Sequence, residues 1–306
     1  MIWSVSSEFS NIKHHERSIM IDMLTRNRWS GMGSHALQLM KEGKCPTPLM
    51  DSAMREVCDC AASKNVTLLP AAEETNTLST FFVWTLNLQK EYNRNGKFVL
   101  YNTYQAYLKS TPASLAQHLA EAKKEGYTLG VKLVRGAYLG SEPRGVIWPS
   151  IEATHSAYDS ITESLLTRKY NSLVQAHDGI DASFPNIDVV LATHNAISVR
   201  KAQAIRTRQV REKEELVPLA YAQLQGMADE VSCELIQAGQ AAKEDEQLVE
   251  IPRAYKLAAW GTMTECLGYL LRRAAENKDA ASRTVESRNA MGQELRRRFK
   301  AMFGMA

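Results

Sequence analysis

Three short stretches of this 306-residue chain gather side chains able to bind and act on a charged ligand. In Lys132-Leu-Val-Arg-Gly-Ala-Tyr138 an apolar run carries two cations, and Gly136 then lets backbone approach a ligand closely. A cation at a strand end steadies a negatively charged ring or a phosphate. A strand that merely ends in solvated Lys132 and Arg135 is the plainer alternative. Thr193-His194-Asn195 follows the apolar run 189–192 and places three hydrogen-bonding side chains in a row, which suits a polyol chain or a diphosphate. A single histidine there serves equally well as a structural partner, and no second His or acid stands at metal-ligand spacing, so no zinc site is expected. In Leu270-Leu-Arg-Arg273-Ala-Ala-Glu276 two adjacent arginines on a helix point about 100° apart, so one of them faces inward or sideways. Such a pair clamps a carboxylate through charge-assisted, bidentate hydrogen bonds. Glu276, three residues after Arg273, is placed to hold its guanidinium; a solvated charged helix is the alternative.

The elements that must position these residues alternate. Met54, Val57, Cys58 and Ala61 give a helix capped by Asp51, and 66–70 reads as a short strand. Phe81, Trp84 and Leu88 mark a helix ended by Asn95-Gly96, and 98–104 is a strand. Thr111-Pro112 opens a helix with Thr as cap, its stripe Leu115, Leu119 and Ala122, its end Gly126. Strands are expected at 129–135, 187–193, 219–224 and, more weakly, 254–259, with helices at 157–167, 196–205, 227–238 and 264–277. Alternating strands and helices imply a parallel sheet. No strand precedes Gly-x-Gly-x-x-Gly, and polar residues crowd the C-terminal strand ends at Gln105, Arg135, Thr193 to Asn195 and Gln223 to Gln225. Barrel enzymes keep their sites there, so a (βα) barrel is favoured over an open sheet. Six or seven strands can be placed; the first is expected at 27–30, and no eighth is found.

Composition narrows the class. A hydrophobic fraction of 44% is ordinary for a globular chain, and no apolar run is long enough to span a bilayer, so any membrane contact is peripheral. The net charge of +3 is spread thinly apart from Arg296-Arg297-Arg298, which argues against nucleic acid as a partner. Five cysteines without a disulfide pattern point to a reducing compartment, and Cys58 and Cys60 are read as small packing residues.

In order and company, five segments resemble the proline dehydrogenase family, particularly its fungal members. They are Tyr101-Asn-Thr-Tyr-Gln-Ala-Tyr107, Gly130-Val-Lys-Leu-Val-Arg-Gly-Ala-Tyr138, Ala192-Thr-His-Asn195, Gln223-Leu-Gln-Gly-Met227 and Tyr269-Leu-Leu-Arg-Arg273 with Glu276-Asn277. The resemblance covers roughly residues 28–300 and implies an α/β fold, a distorted (βα)8 TIM-type barrel with C-terminal helices. On this reading 28–306 is a single barrel domain, and 1–27 is an atypical N-terminal segment, as expected of a shortened or misannotated gene product. The resemblance implies FAD as cofactor, oxidation of L-proline to 1-pyrroline-5-carboxylate, a quinone as electron acceptor, and a mitochondrial location. With no clear presequence, the cytoplasm stays open.

By matching motif, Arg272 and Arg273 resemble the substrate-carboxylate clamp, with Tyr138, Leu224, Leu257 and Tyr269 lining the proline pocket. Lys132 is implied as the catalytic cation beside the flavin ring, with Gln105 as its neighbour. Val134, Gly136 and Ala137 fall where backbone meets the cofactor, and Thr193, His194, Asn195 and Glu276 resemble the remaining cofactor contacts. Three positions depart from the pattern besides Arg28, which stands where relatives commonly have a lysine near the carboxylate. Ala71-Ala-Glu73 replaces Asp-Ala-Glu. Ser150-Ile-Glu152 replaces a stretch with Thr and Lys. Leu257 replaces a Tyr that packs on the substrate ring. Leu257 favours a substituted proline as an alternative substrate, while Arg28, Ala71 and the weak first strand motivate a non-catalytic barrel as the alternative of another class.

Overall fold

A computed structural model of the chain describes residues 29–176, 183–244, 250–258, 262–276 and 284–302. They fall into two compact units, Met1–Thr193 with Ile197–Ala220 and His194–Ala196 with Tyr221–Ala306. In chain order the elements are α1 (Ser34–Lys41), α2 (Pro48–Ser63), α3 (Thr75–Tyr92), β1 (Asn102–Gln105), α4 (Thr111–Glu125), β2 (Leu129–Val134) and α5 (Ile151–Thr167). They continue with β3 (Ile187–Ala192), α6 (Ala196–Glu212), β4 (Leu219–Leu224), α7 (Asp229–Glu244), β5 (Arg253–Leu257), α8 (Met263–Glu276) and α9 (Thr284–Met302).

The first unit is built on side-chain alternation. β1, β2 and β3 pair in parallel, with Thr103 beside Lys132, Lys132 beside Val190, and Gln105 beside Val134. Successive side chains of a strand point to opposite faces. Tyr104, Leu129, Val131, Leu133, Val189 and Leu191 therefore share one face, and all are fully buried. The Tyr104 hydroxyl lies 2.8 Å from Nδ1 of His118 in α4, which fixes that face as the helix-covered one. α4 lies against β1 and β2, and α5 against β2 and β3. The opposite face carries Thr103, Gln105, Lys132, Val134 and Val190, and Lys132 and Val134 are only half-buried. Gly130 on that face is required by close approach: a Cβ there would stand 2.4 Å from Leu100 O.

Side-chain amides finish what the short strands cannot. Asn93, the residue after α3, is buried; its Nδ2 donates to Leu100 O (2.7 Å) and Thr128 O (3.1 Å), and its Oδ1 accepts from Val99 N (2.9 Å) and Leu100 N (3.0 Å). Gln89 does the same for Gly130, donating to its O (3.2 Å) and accepting from its N (2.9 Å). Backbone groups without a ladder partner thus stay satisfied.

Several sequence expectations need correction. The first strand does not form at its described residues: Trp29–Met32 is a 3-10 turn, and Trp29 is buried edge-on against Trp84 at 4.9 Å with its indole N–H donating to Thr85 Oγ1 at 3.3 Å. An indole buried among helix side chains leaves no strand to pair. Segment 66–70 forms isolated bridges in place of a strand, Leu68 pairing in parallel with Leu100, and Pro70 has no N–H to extend that ladder. The cap of α2 is Thr47, whose hydroxyl accepts from Met50 N at 3.3 Å, while Asp51 sits in the first turn and pairs with Arg55 at 2.8 Å. Thr111 does not cap α4; it is the first helical residue, and its hydroxyl donates to Gln105 O. α1 has no counterpart among the expected elements, for it buries only Ala36 and Met40 of its eight residues, too few for a legible stripe.

In the second unit β4 and β5 are neighbours, joined by Gln225 N donating to Leu257 O at 2.9 Å, and α7 lies against β5 and α9.

Candidate active site

The open face of β1 and β2 leads to a polar rim. Gln105 ends β1 fully buried; its Nε2 donates to Glu73 O at 2.9 Å and its Oε1 accepts from Ala137 N at 3.0 Å. One amide thus ties the loop before α3 to the loop after β2. Beyond it Gly136 and Ala137 expose their backbone. Gly136 cannot be replaced freely: a Cβ would stand 2.4 Å from the Tyr107 ring. Tyr138 turns back and donates to Ala72 O at 2.7 Å. Glu142, further along the same loop, is buried and caps α3 from outside it, accepting from Thr75 N at 2.8 Å and from the Thr75 hydroxyl. A carboxylate at a helix N-terminus is favoured by the helix dipole. Sequence reading missed Glu73, Glu142 and Thr75; they are ordinary polar residues whose partners lie 32 to 67 positions away.

Arg135 leaves the end of β2 on a different course from Lys132. Its guanidinium lies 4.3 Å from the Tyr158 ring centroid. It donates to His155 Nδ1 (3.0 Å), to Ser198 Oγ (2.8 Å) and to Thr193 Oγ1 at the end of β3. Ser198 in turn donates to Asp159, which also pairs with Lys201 at 2.6 Å. Burial lowers the Arg135 pKa. Burial, then the neighbouring Arg135 charge, lower that of His155. At the α5 N-terminus Ser150, one of the departing positions, serves as cap and accepts from Ala153 N at 3.1 Å.

In the second unit His194 Nε2 accepts from Leu224 N at 3.1 Å, and Leu257 is tied to Gln225 through its carbonyl. His194, Leu224 and Leu257 are thereby brought to neighbouring strand ends, and Asn195 is half-buried. Tyr269, Arg272, Arg273 and Glu276 lie on α8 as the spacing predicts. Their side chains, and all of Arg28, lie outside the described residues.

Elsewhere chemistry is absent or muted. Among the described residues no His, Cys, Asp and Glu cluster is arranged to hold a metal, and no helix is long and apolar enough to cross a membrane. All five cysteines are free, and burial pushes the Cys58 thiol up to about 12, far from the thiolate that reacts.

Solved structures sharing this architecture are barrel-type α/β proteins. Proline utilization A from Bdellovibrio bacteriovorus superposes with a TM-score of 0.54 at 20% identity, covering 75% of this chain and 22% of that one. A variant of the Bradyrhizobium japonicum protein gives 0.56 at 20%, covering 79% and 22%. At that identity the likeness fixes the fold class: an α/β barrel of TIM type. The family model described as proline dehydrogenase matches residues 4–286, beginning inside the segment that the motifs alone had left out. A probable mitochondrial proline dehydrogenase of Schizosaccharomyces pombe is 31% identical over 248 residues, 79% of this chain and 49% of that protein. A hydroxyproline dehydrogenase of Bos taurus is 33% identical over 259 residues, 81% and 50%. The chain belongs to the proline dehydrogenase family, a family of flavoenzymes. It spans about half the length, or less, of the curated relatives it matches.

Proposed function

We propose that the protein oxidises L-proline to 1-pyrroline-5-carboxylate, with FAD as the electron acceptor in the site and a quinone as the onward acceptor. The observation that carries this reading is the face of β1 and β2 turned away from α4, where half-buried Lys132 lies in register with buried Thr103, one step before the Gln105 and Val134 pair, and where the Gln105 amide holds the exposed turn at Gly136 and Ala137. Those residues fit a flavin: the cation suits a ring that takes on negative charge as it is reduced, and exposed Gly136, which has no side chain, leaves room for a flat one. Bound FAD supplies a two-electron acceptor. The protein's own part is orientation and electrostatics. Lys132 stabilises negative charge that grows on the acceptor as hydride leaves the ring carbon beside the substrate nitrogen. Gln105 holds Ala137, and with it the Gly136 to Tyr138 turn, in place. Thr193, His194, Asn195 and Glu276 are the remaining cofactor contacts in this reading. By the family resemblance, Arg272, Arg273 and Arg28 are the carboxylate contacts in this reading, and Tyr138, Leu224, Leu257 and Tyr269 the contacts to the substrate ring. The substrate amine must be neutral, since an ammonium cannot become an imine by losing hydride alone.

Relatives from Schizosaccharomyces pombe, Caenorhabditis elegans and Drosophila melanogaster carry mitochondrial names, and we place this chain there on that likeness, in peripheral contact with the quinone-bearing membrane. A second reading has a specific support. Leu257 and the 33% identity to a hydroxyproline dehydrogenase favour a ring-substituted proline as substrate. One experiment tests both: anaerobic bleaching of the flavin-loaded protein by proline and by 4-hydroxyproline. Bleaching by either, with apparent KM raised about tenfold by Arg272→Ala or Arg273→Ala, is expected from the loss of a charge-assisted clamp. A protein that takes up no flavin refutes the reading.

A further inference from the structure

We infer that Arg135 is a positioning residue that fixes the hydrogen-bond directions of Thr193, at the end of β3, and of His155, in α5. The inference rests on the proposed function only where Thr193 is taken as a cofactor contact.

A guanidinium only donates. Each of its three partners must therefore present a lone pair: Nδ1 of His155 at 3.0 Å, Oγ of Ser198 at 2.8 Å, and Oγ1 of Thr193. His155 is consequently neutral with its proton on Nε2. Burial and the Arg135 charge push its pKa down, Asp159 and Glu152 of its own helix oppose this, and Lys201 of α6 adds to it. Ser198 has its proton left for Asp159, and it donates there. Lys201, at 2.6 Å from the other Asp159 oxygen, closes the series. Thr193, accepting from Arg135, has its own proton turned away from the guanidinium. On the proposed reading Thr193 is a cofactor contact, and Arg135 sets the side from which its hydroxyl oxygen accepts. The Tyr158 ring at 4.3 Å supports the guanidinium plane, and the half-buried cation meets partners from α5, α6 and the end of β3. Lysine would keep the charge and lose the fork, so it cannot serve partners on three different elements with fixed directions.

The test uses the full chain as wild type, Arg135→Lys, Thr193→Val and the double variant. Apoprotein is titrated with FAD by quenching of flavin fluorescence, with a melting curve for each variant. Each single variant is expected to bind FAD about tenfold more weakly, and the double variant no more weakly than either, because both break one link. Additive losses overturn the inference, as does wild-type affinity in Arg135→Lys. Should Arg135→Lys not fold, Ser198→Ala replaces it, with a loss of about threefold that is again non-additive with Thr193→Val; additivity overturns the inference there too. A second readout needs no flavin: the 15N resonances of the His155 ring. A neutral ring with bare Nδ1 in the wild type, giving way to mixed tautomers in the Arg135 variant, supports the clamp; a protonated Nδ1 in the wild type overturns it. If the wild type takes up no FAD, the functional reading falls and the ring resonances still decide the role of Arg135.

Discussion

The two ends of the β1 to β3 sheet are closed by different chemistry. At the N-terminal end neutral amides do the work: Asn93 meets four backbone groups and Gln89 meets two, and both are fully buried. At the C-terminal end the buried amide of Gln105 is joined by a half-buried guanidinium, a half-buried ammonium and the exposed residues Gly136 and Ala137. Saturated neutral hydrogen bonds give a fixed base and nothing to react. Desolvated charge costs stability unless something is gained from it, and here it stands at the end where barrel enzymes bind their ligands. The molecule separates holding from acting along the length of its strands.

The sharpest way to break that contrast is at the base. Asn93→Ala strips partners from Val99 N, Leu100 N, Leu100 O and Thr128 O at once. Each buried group left unpaired costs about 1–3 kcal/mol, so allowing for relaxation the loss is about 3–5 kcal/mol. Urea unfolding of both proteins measures it. A loss below about 1 kcal/mol would show that the strand ends do not depend on this amide.

A second effect lies on the helix-covered face. His118 is buried beside Tyr104 and Phe82, and desolvation pushes its pKa down to about 4. Its usual value is about 6.5, so the unfolded chain binds this proton more readily than the folded one. Stability is therefore full above about pH 6.5 and is lost as pH falls toward 4, by about 3 kcal/mol in all. His118→Leu should flatten the stability profile between pH 7 and pH 4.5. Parallel profiles for the two proteins would mean that His118 is not the group responsible.

At the other end Gly136→Ala tests whether the exposed turn is held as tightly as it looks. The new methyl would fall 2.4 Å from the Tyr107 ring, itself buried, so either the ring or the turn must move. Overpacking of this kind costs about 1–3 kcal/mol. The readout that separates the ends is flavin: the variant should lose FAD affinity out of proportion to its fall in melting temperature. Equal FAD affinity in both proteins would remove the turn from the site.

The same contrast explains what the sequence made legible. The rim was visible because polar residues following apolar runs are unusual, so Gln105, Lys132, Arg135 and the 193–195 run could be singled out one strand at a time. The base was not visible. Asn93 and Gln89 read as ordinary polar helix residues, and the role of Asn93 depends on a strand that begins at 102, four residues later than expected. Alternation gave strand and helix order well, and β4 to the residue, because β4 is apolar with clear flanks. It failed for 27–30, where an aromatic residue looked like strand and proved to be core for α3. Partners distant in sequence, such as Glu142 for Thr75, leave no local signal at all.

The smallest expected effect concerns which ring the site prefers. Leu257 ends β5, half-buried, with its carbonyl already engaged by Gln225 N, so the backbone that carries the side chain is fixed. On the proposed reading the side chain stands over the substrate ring. Leucine offers apolar contact without a hydroxyl and leaves more room than tyrosine. One group in an apolar pocket discriminates by only about 1–3 kcal/mol, and an added hydroxyl is poorly rejected by such a pocket. The wild type should therefore separate proline from 4-hydroxyproline only modestly in kcat/KM. Leu257→Tyr narrows the site and should raise kcat/KM for proline while lowering it for 4-hydroxyproline. If Leu257 instead only fills space beneath its neighbours, tyrosine overpacks, and both substrates lose equally as the melting temperature falls. Measuring both substrates with both proteins, alongside the melting curves, distinguishes a residue that reads the substrate from one that supports the fold.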